Sequence, residues 1–165
     1  MRAECAARIG EQEVRAGVAL FPQYQALKLV IPSRAQLTAA GVQRASARKQ
    51  QLLRQISDQF TKAIQSGSPL HIAAATYYIG FAQWDYGNFV KNVQLPGGLT
   101  DEERTTAITG SERQATQYYD AARKTWQALI DKAQQESIAN DWVTRALGAL
   151  AGSVPATPPP PGGAP

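Results

Sequence analysis

Between Ile72 and Val93 the chain sets apolar residues at Ile72, Ala75, Ile79, Ala82, Tyr86, Phe89 and Val93, in alternating steps of three and four. That spacing is the period of an α-helix, kept over seven successive positions. A second stripe with the same rhythm, Leu70, Ala74, Tyr77, Phe81 and Trp84, runs beside it. A helix with one apolar face lies on a core, whereas a helix with two must be covered twice. The segment therefore predicts a central helix sandwiched between neighbours, with neither Ile79 nor Phe81 facing water. Ala73, Gly80 and Gly87 recur at intervals of seven, a seam small enough for another helix to approach closely. Each glycine weakens an isolated helix by about 1 kcal/mol relative to alanine, and close packing is the expected compensation.

Punctuation on either side supplies the rest of an all-α chain. A first helix is expected over about Ala3–Ala19. An extended connector, Phe21–Pro32, follows, bounded by Pro22 and Pro32, with Leu27, Leu29 and Ile31 on one side. Ser33 reads as the N-cap of a second helix reaching Gln65, with Leu53, Ile56, Phe60 and Ile64 as its apolar stripe. Its middle, residues 41–51, is polar and reads as solvent-exposed. Ser66-Gly67 ends that helix, and Ser68-Pro69 starts the central one. After a loop at residues 95–99, Thr100-Asp101-Glu102-Glu103 fits a capping box opening a helix to about Glu136. Ala115, Tyr119, Ala122, Trp126, Leu129 and Ala133 form its inner face. A last helix, about Ile138–Leu150, presents Trp142, Ala146 and Leu150. The expected organisation is one helical, repeat-like domain over 1–151, built as tetratricopeptide-like stacked helical hairpins. A Pro/Gly-rich tail over 152–165, GSVPATPPPPGGAP, is expected to be disordered.

At 165 residues and 44% hydrophobic composition, one such core is feasible without staples. The single cysteine, Cys5, excludes an intrachain disulfide and a cysteine-based metal cage. No apolar run of about 18 residues exists, so no membrane insertion is expected. No signal peptide is visible; an export signal would lie outside this sequence. The charge is uneven. Residues 1–62 carry ten Lys/Arg against four Asp/Glu, and residues 63–165 carry seven against nine.

Catalytic chemistry finds no support. His71 is the only histidine, without a second ligand at metal spacing or a nucleophile in a recognisable motif. Phosphate-binding glycine loops are missing. The carboxylates of residues 101–103 are accounted for as a helix start. No cofactor and no metal are expected, and the chain reads as a non-enzyme. Most aromatics fall on the stripes and read as core. Tyr78 and Tyr118 fall beside them and are the candidates for an exposed partner-binding face.

Three function classes follow. The leading one is a protein–protein interaction scaffold that receives a peptide or helix. A second is a self-assembling helical subunit pairing through Leu53, Ile56, Phe60 and Ile64. A third is weak nucleic-acid binding through Arg44, Arg48, Lys49, Arg54 and Lys62, although no aromatic is interleaved with this patch and no reader motif is present.

Ala75-x-x-x-Ile79-Gly80 resembles the first helix of a tetratricopeptide repeat, and Ala115-x-x-x-Tyr119-x-x-Ala122 resembles the second. The 34-residue period is not kept, so the resemblance is to a diverged pair of repeats. The wider order joins the segment Phe60–Gly67, the segment Ala74–Ala82, the loop into Leu99–Glu103, the segment Tyr119–Trp126 and the segment Asn140–Ala146. It is similar to the C-terminal part of large tetratricopeptide-type envelope proteins of gliding bacteria, among them components of the adventurous gliding motility machinery. The resemblance covers residues 50–150. It implies an adaptor in the periplasm or cell envelope, within a motility or transport assembly, and carries no catalytic residues to this chain; without it, a cytoplasmic location is the default.

Overall fold

The computed structural model describes residues 2–162. Among them are six α-helices: α1 (Arg2–Val18), α2 (Phe21–Ala26), α3 (Ala39–Gln65), α4 (Pro69–Lys91), α5 (Asp101–Gln135) and α6 (Asp141–Leu150). The fold is all-α, as expected, and the described residues contain no strand, only an isolated bridge between Val30 and Gln94.

α4 is the spine. It packs most extensively on α5, then on α3, and also touches α1 and α6. Phe81 is 1% exposed, and Tyr77, Tyr78, Ala82, Tyr86, Phe89 and Val90 are buried with it. Ile79 and Trp84 are half-buried and packed against the same core. Leu70 is the exception on the two stripes: in the first helical turn, it stands 51% exposed.

The small seam does what its spacing predicts. A Cβ at Gly80 would stand 2.8 Å from Trp126 Cδ1, and one at Gly87 would stand 2.6 Å from Tyr119 Cε1. Trp126 has no exposed surface, and its indole N–H donates to the Tyr77 carbonyl at 3.1 Å. The two glycines thus let aromatic rings of α5 lie directly on the α4 backbone.

Helix ends follow local chemistry. Gly67 has φ +79°, the left-handed conformation that terminates α3. Both halves of the capping box form at α5: Glu103 N–H donates to Thr100 Oγ1 at 3.1 Å, and Thr100 N–H donates to the Glu103 carboxylate at 2.8 Å. Replacing Thr100 with alanine is expected to lower stability by about 1 kcal/mol; urea unfolding of the variant checks this, and an unchanged midpoint contradicts it. Asn140 caps α6 through the amides of Trp142 and Val143.

The structure corrects two boundaries. The connector begins with a short helix, α2, because Pro22 occupies its first turn, where no amide hydrogen is required. Phe21 and Tyr24 are fully buried. Only the following stretch is extended; there Leu29 and Ile31 point inward while Val30 is 44% exposed. Two backbone bonds to Gln94 hold it flat, Ile31 N–H to Gln94 O and Gln94 N–H to Leu29 O. Ser33 opens only a single 3-10 turn, Arg34–Gln36. The cap of α3 is Thr38, whose hydroxyl accepts from the Gly41 amide at 3.0 Å.

The tail is corrected as well. Residues 152–162 do not form a free segment: Val154 packs on the core, Pro159 is buried, and two side chains of the body bond tail carbonyls. Residues 163–165 lie outside the described residues.

Candidate functional site

α3 and α5 share no packed interface, because α4 lies between them. Where the first halves of α3 and α5 diverge, they leave an open groove with a volume of about 520 Å3. One wall is α3, from Ala39 through Val42 and Ser46 to Gln50; the other is α5, from Thr106 through Gly110 to Gln114. Leu29 and Ile31 of the extended connector, Val90 and Val93 at the end of α4, and Leu95 make the floor. No lining residue is charged. The polar groups are side-chain amides and hydroxyls, several already engaged: Ser46 Oγ donates to the Gln43 carbonyl, Gln50 donates to Ser46 Oγ, and Ser111 Oγ donates to the Val90 carbonyl. Gly110 faces open space, since a Cβ added there would meet nothing within 4 Å.

Arg34, in the turn before α3, forms an ion pair at 2.5 Å with Glu103 of α5. It ties the two walls together across their N-terminal ends. The backbone hydrogen bond from Thr100, then Arg34, holds the Glu103 carboxyl below its ordinary 4.5. A carboxyl with a lowered folded-state value binds its proton more weakly folded than unfolded. Its contribution is therefore present above pH 4.5 and is lost as pH falls through the lowered value. Carboxyl NMR should place the Glu103 midpoint below 4.5, with the Thr100 amide shifting in step; a midpoint at or above 4.5 contradicts the clasp.

Behind the groove lies a charged contact that the sequence conceals. Lys49, expected on the exposed middle of its helix, is 2% exposed. Its ammonium donates to Asp85 Oδ2 and to the Tyr24 carbonyl, both at 2.6 Å, and stands 3.7 Å from the centroid of the Tyr24 ring. Asp85 also accepts from Gln25 at 3.1 Å. Burial pushes the Lys49 ammonium below its ordinary value, opposed by the Asp85 charge and hydrogen bond. The pair joins α2, α3 and α4, and every strong donor and acceptor in it is engaged, so it reads as a pin rather than a reacting group. The basic patch loses Lys49, while Arg44, Arg48, Arg54 and Lys62 remain exposed.

Neither predicted partner-binding tyrosine is an open contact. Tyr78 is 0% exposed: it stacks on Phe60 at 5.1 Å, lies 5.0 Å from Trp142, and donates its hydroxyl to the Pro159 carbonyl at 2.6 Å. The tail covers it. Tyr118 is half-buried with its ring 4.3 Å from Tyr86. The two are not brought together. The stripe proposed for self-pairing is enclosed within the chain: Ile56 and Phe60 have no exposed surface, and Leu53 and Ile64 pack on the core. His71 Nδ1 is 2.9 Å from Ser68 Oγ, and partial burial lowers its basicity. Cys5 is exposed. Among the described residues no cluster of His, Cys, Asp and Glu has metal-holding geometry, and no helix is long and apolar enough to cross a membrane.

No family model, no curated protein and no solved structure matches this chain.

Proposed function

We propose that this protein is a non-enzymatic interaction scaffold, and that the groove between α3 and α5 receives an apolar helix or peptide face of a partner protein. The observation that carries the reading is the lining. A 520 Å3 groove with an apolar floor, neutral walls and no charged side chain suits apolar side chains flanked by main-chain polar groups. Its walls stand on long helices and its floor on the buried spine, so the surface is formed before a partner arrives, which limits the ordering cost of binding. The tetratricopeptide-like stacking and the envelope adaptor role implied by the resemblance belong to the same proposal. The order of packing, α3 on α4 and α4 on α5, is compatible with stacked hairpins.

A photo-crosslinking residue at Gly110, expressed in the source cell, tests it. The side chain enters open groove without a clash. One dominant protein adduct is expected at this position and none from Arg123, which is exposed away from the groove. Equal adducts at both positions, or none at Gly110, contradict the reading. Gly110→Trp should fill the groove, remove the adduct made from a crosslinker at Ala107, and leave the helical signal unchanged.

A further inference from the structure

The Pro/Gly-rich segment crosses a second surface, distinct from the α3–α5 groove. After Gly152, whose φ of +97° turns the chain at the end of α6, Val154 packs on the core and Ser153, Val154 and Pro155 border Tyr77, Arg145 and Gly148. The segment bends at Ala156–Thr157, where the Ala156 carbonyl accepts from Gln25 Nε2 at 2.9 Å. It then follows α4 toward the helix's start. Pro159 is buried, its carbonyl bonded to Tyr78, and Pro161 and Gly162 reach a cavity of about 540 Å3 beside His71 and Trp142.

This is recognition of an extended proline-rich strand by the means such strands allow. Prolines have no amide hydrogen to offer, so a receptor reads their carbonyls with donors and their rings with aromatic surface. Tyr78 and Gln25 are those donors. Tyr78 adds ring surface, and the adjoining Trp142 lies 5.0 Å from it. The tail carbonyls at Ala156 and Pro159 are the acceptors, so contact is made to main chain, which any extended proline-rich segment shares.

We infer that the groove over α4, between α1–α2 and α6, is a binding site for extended proline-rich peptides, with the chain's own tail as its resident ligand and a proline-rich segment of another protein as its occupant in trans. A second copy offers only the same tail, which is already seated in its own groove. A different chain has something to gain: next to Gly162, which has no side chain, the cavity is bordered by Leu70, His71 and Trp142. A Cβ at Gly162 would meet nothing within 4 Å, so a segment bearing a large apolar residue at that position gains contacts that Gly162 does not make. The resident tail competes at the millimolar effective concentration of a short tether, and so sets the threshold for entry.

The test uses the full-length chain and a fluorescent synthetic peptide of residues 153–162. In the variant carrying Pro158→Ser, Pro159→Ser, Pro160→Ser and Pro161→Ser, peptide binding should be at least tenfold tighter than in the wild type. Adding Tyr78→Phe to that variant should weaken binding roughly fivefold. A peptide with Gly162→Leu should bind more tightly than the parent peptide. Equal affinity for wild type and tail variant, or no binding to a tail variant with intact helical signal, overturns the inference. Should the tail variant fail to fold, NMR on the wild type at millimolar peptide decides. The Gln25 side-chain amide and Trp142 indole resonances are expected to shift together, and the absence of both shifts overturns it. Sedimentation of the wild type should show a monomer; a dimer dissociated by the peptide would assign the trans occupant to a second copy and overturn the partner named here.

Discussion

Replacing Lys49 with methionine should destabilise the protein by about 3 kcal/mol, the cost of leaving a partner carboxylate in low-dielectric surroundings without its cation. For a domain of this size that corresponds to a fall in Tm of roughly 6–12 °C. Asp85 has a side chain 15% exposed and would retain only Gln25 as a donor, while the Tyr24 carbonyl would lose its bond outright. The instructive variant is the double one. If the pair is a pin, Lys49→Met with Asp85→Leu should recover most of the loss, because an apolar replacement of a buried ion pair is often neutral. Thermal unfolding of the two single variants and the double variant gives the coupling directly. Additive losses would show that Lys49 and Asp85 do not act together.

The second large effect lies at the seam of α4 and α5. Trp126→Ala removes a fully buried indole and its bond to the Tyr77 carbonyl, and should cost about 3–5 kcal/mol. Gly80→Ala in the wild type forces a methyl against the same ring and should cost about 1–3 kcal/mol. In the Trp126→Ala background the sign should reverse. With the ring gone, alanine no longer clashes, and its helix propensity makes Gly80→Ala stabilising by about 1 kcal/mol. Denaturant unfolding of the four proteins measures this. A glycine substitution equally harmful in both backgrounds would mean that the indole is not what requires Gly80.

How legible this was in the sequence depended on whether each signal is local. The stripes from Ile72 to Val93 and the Gly80–Gly87 spacing identify a doubly covered helix because helical period is a property of neighbouring residues. Thr100 and Glu103 mark their helix start for the same reason. Lys49 was misread because nothing within its own polar run distinguishes it; its partners, Tyr24 and Asp85, are 25 and 36 residues away. One clue was present: Asp85 is the only acid within a helix otherwise rich in apolar and aromatic residues, and a carboxylate in the middle of such a helix requires a partner. The tail was misread because proline-rich composition signals only that a segment builds no core of its own. It says nothing of whether another surface provides hydrogen-bond donors to the tail's carbonyls, as Tyr78 and Gln25 do. Tyr78, expected on an exposed partner-binding face because it falls beside the stripes, is instead buried beneath the chain's own tail, since that tail is remote in sequence and leaves no mark on the helical period. The groove between α3 and α5 had no sequence signature, since it arises from the divergence of two helices that share no extensive interface.

Hydrogen exchange along α4 tests the enclosed spine most directly. Covered by α3, α5, α1, α6 and the tail, the amides of Ala73–Val90 should open only with global unfolding, and so be the slowest in the molecule. The first turns of α5, which wall the open groove, should exchange faster. Exchange of Ala73–Val90 as rapid as that of residues 101–110 would contradict the enclosed helix and the grooves framed around it.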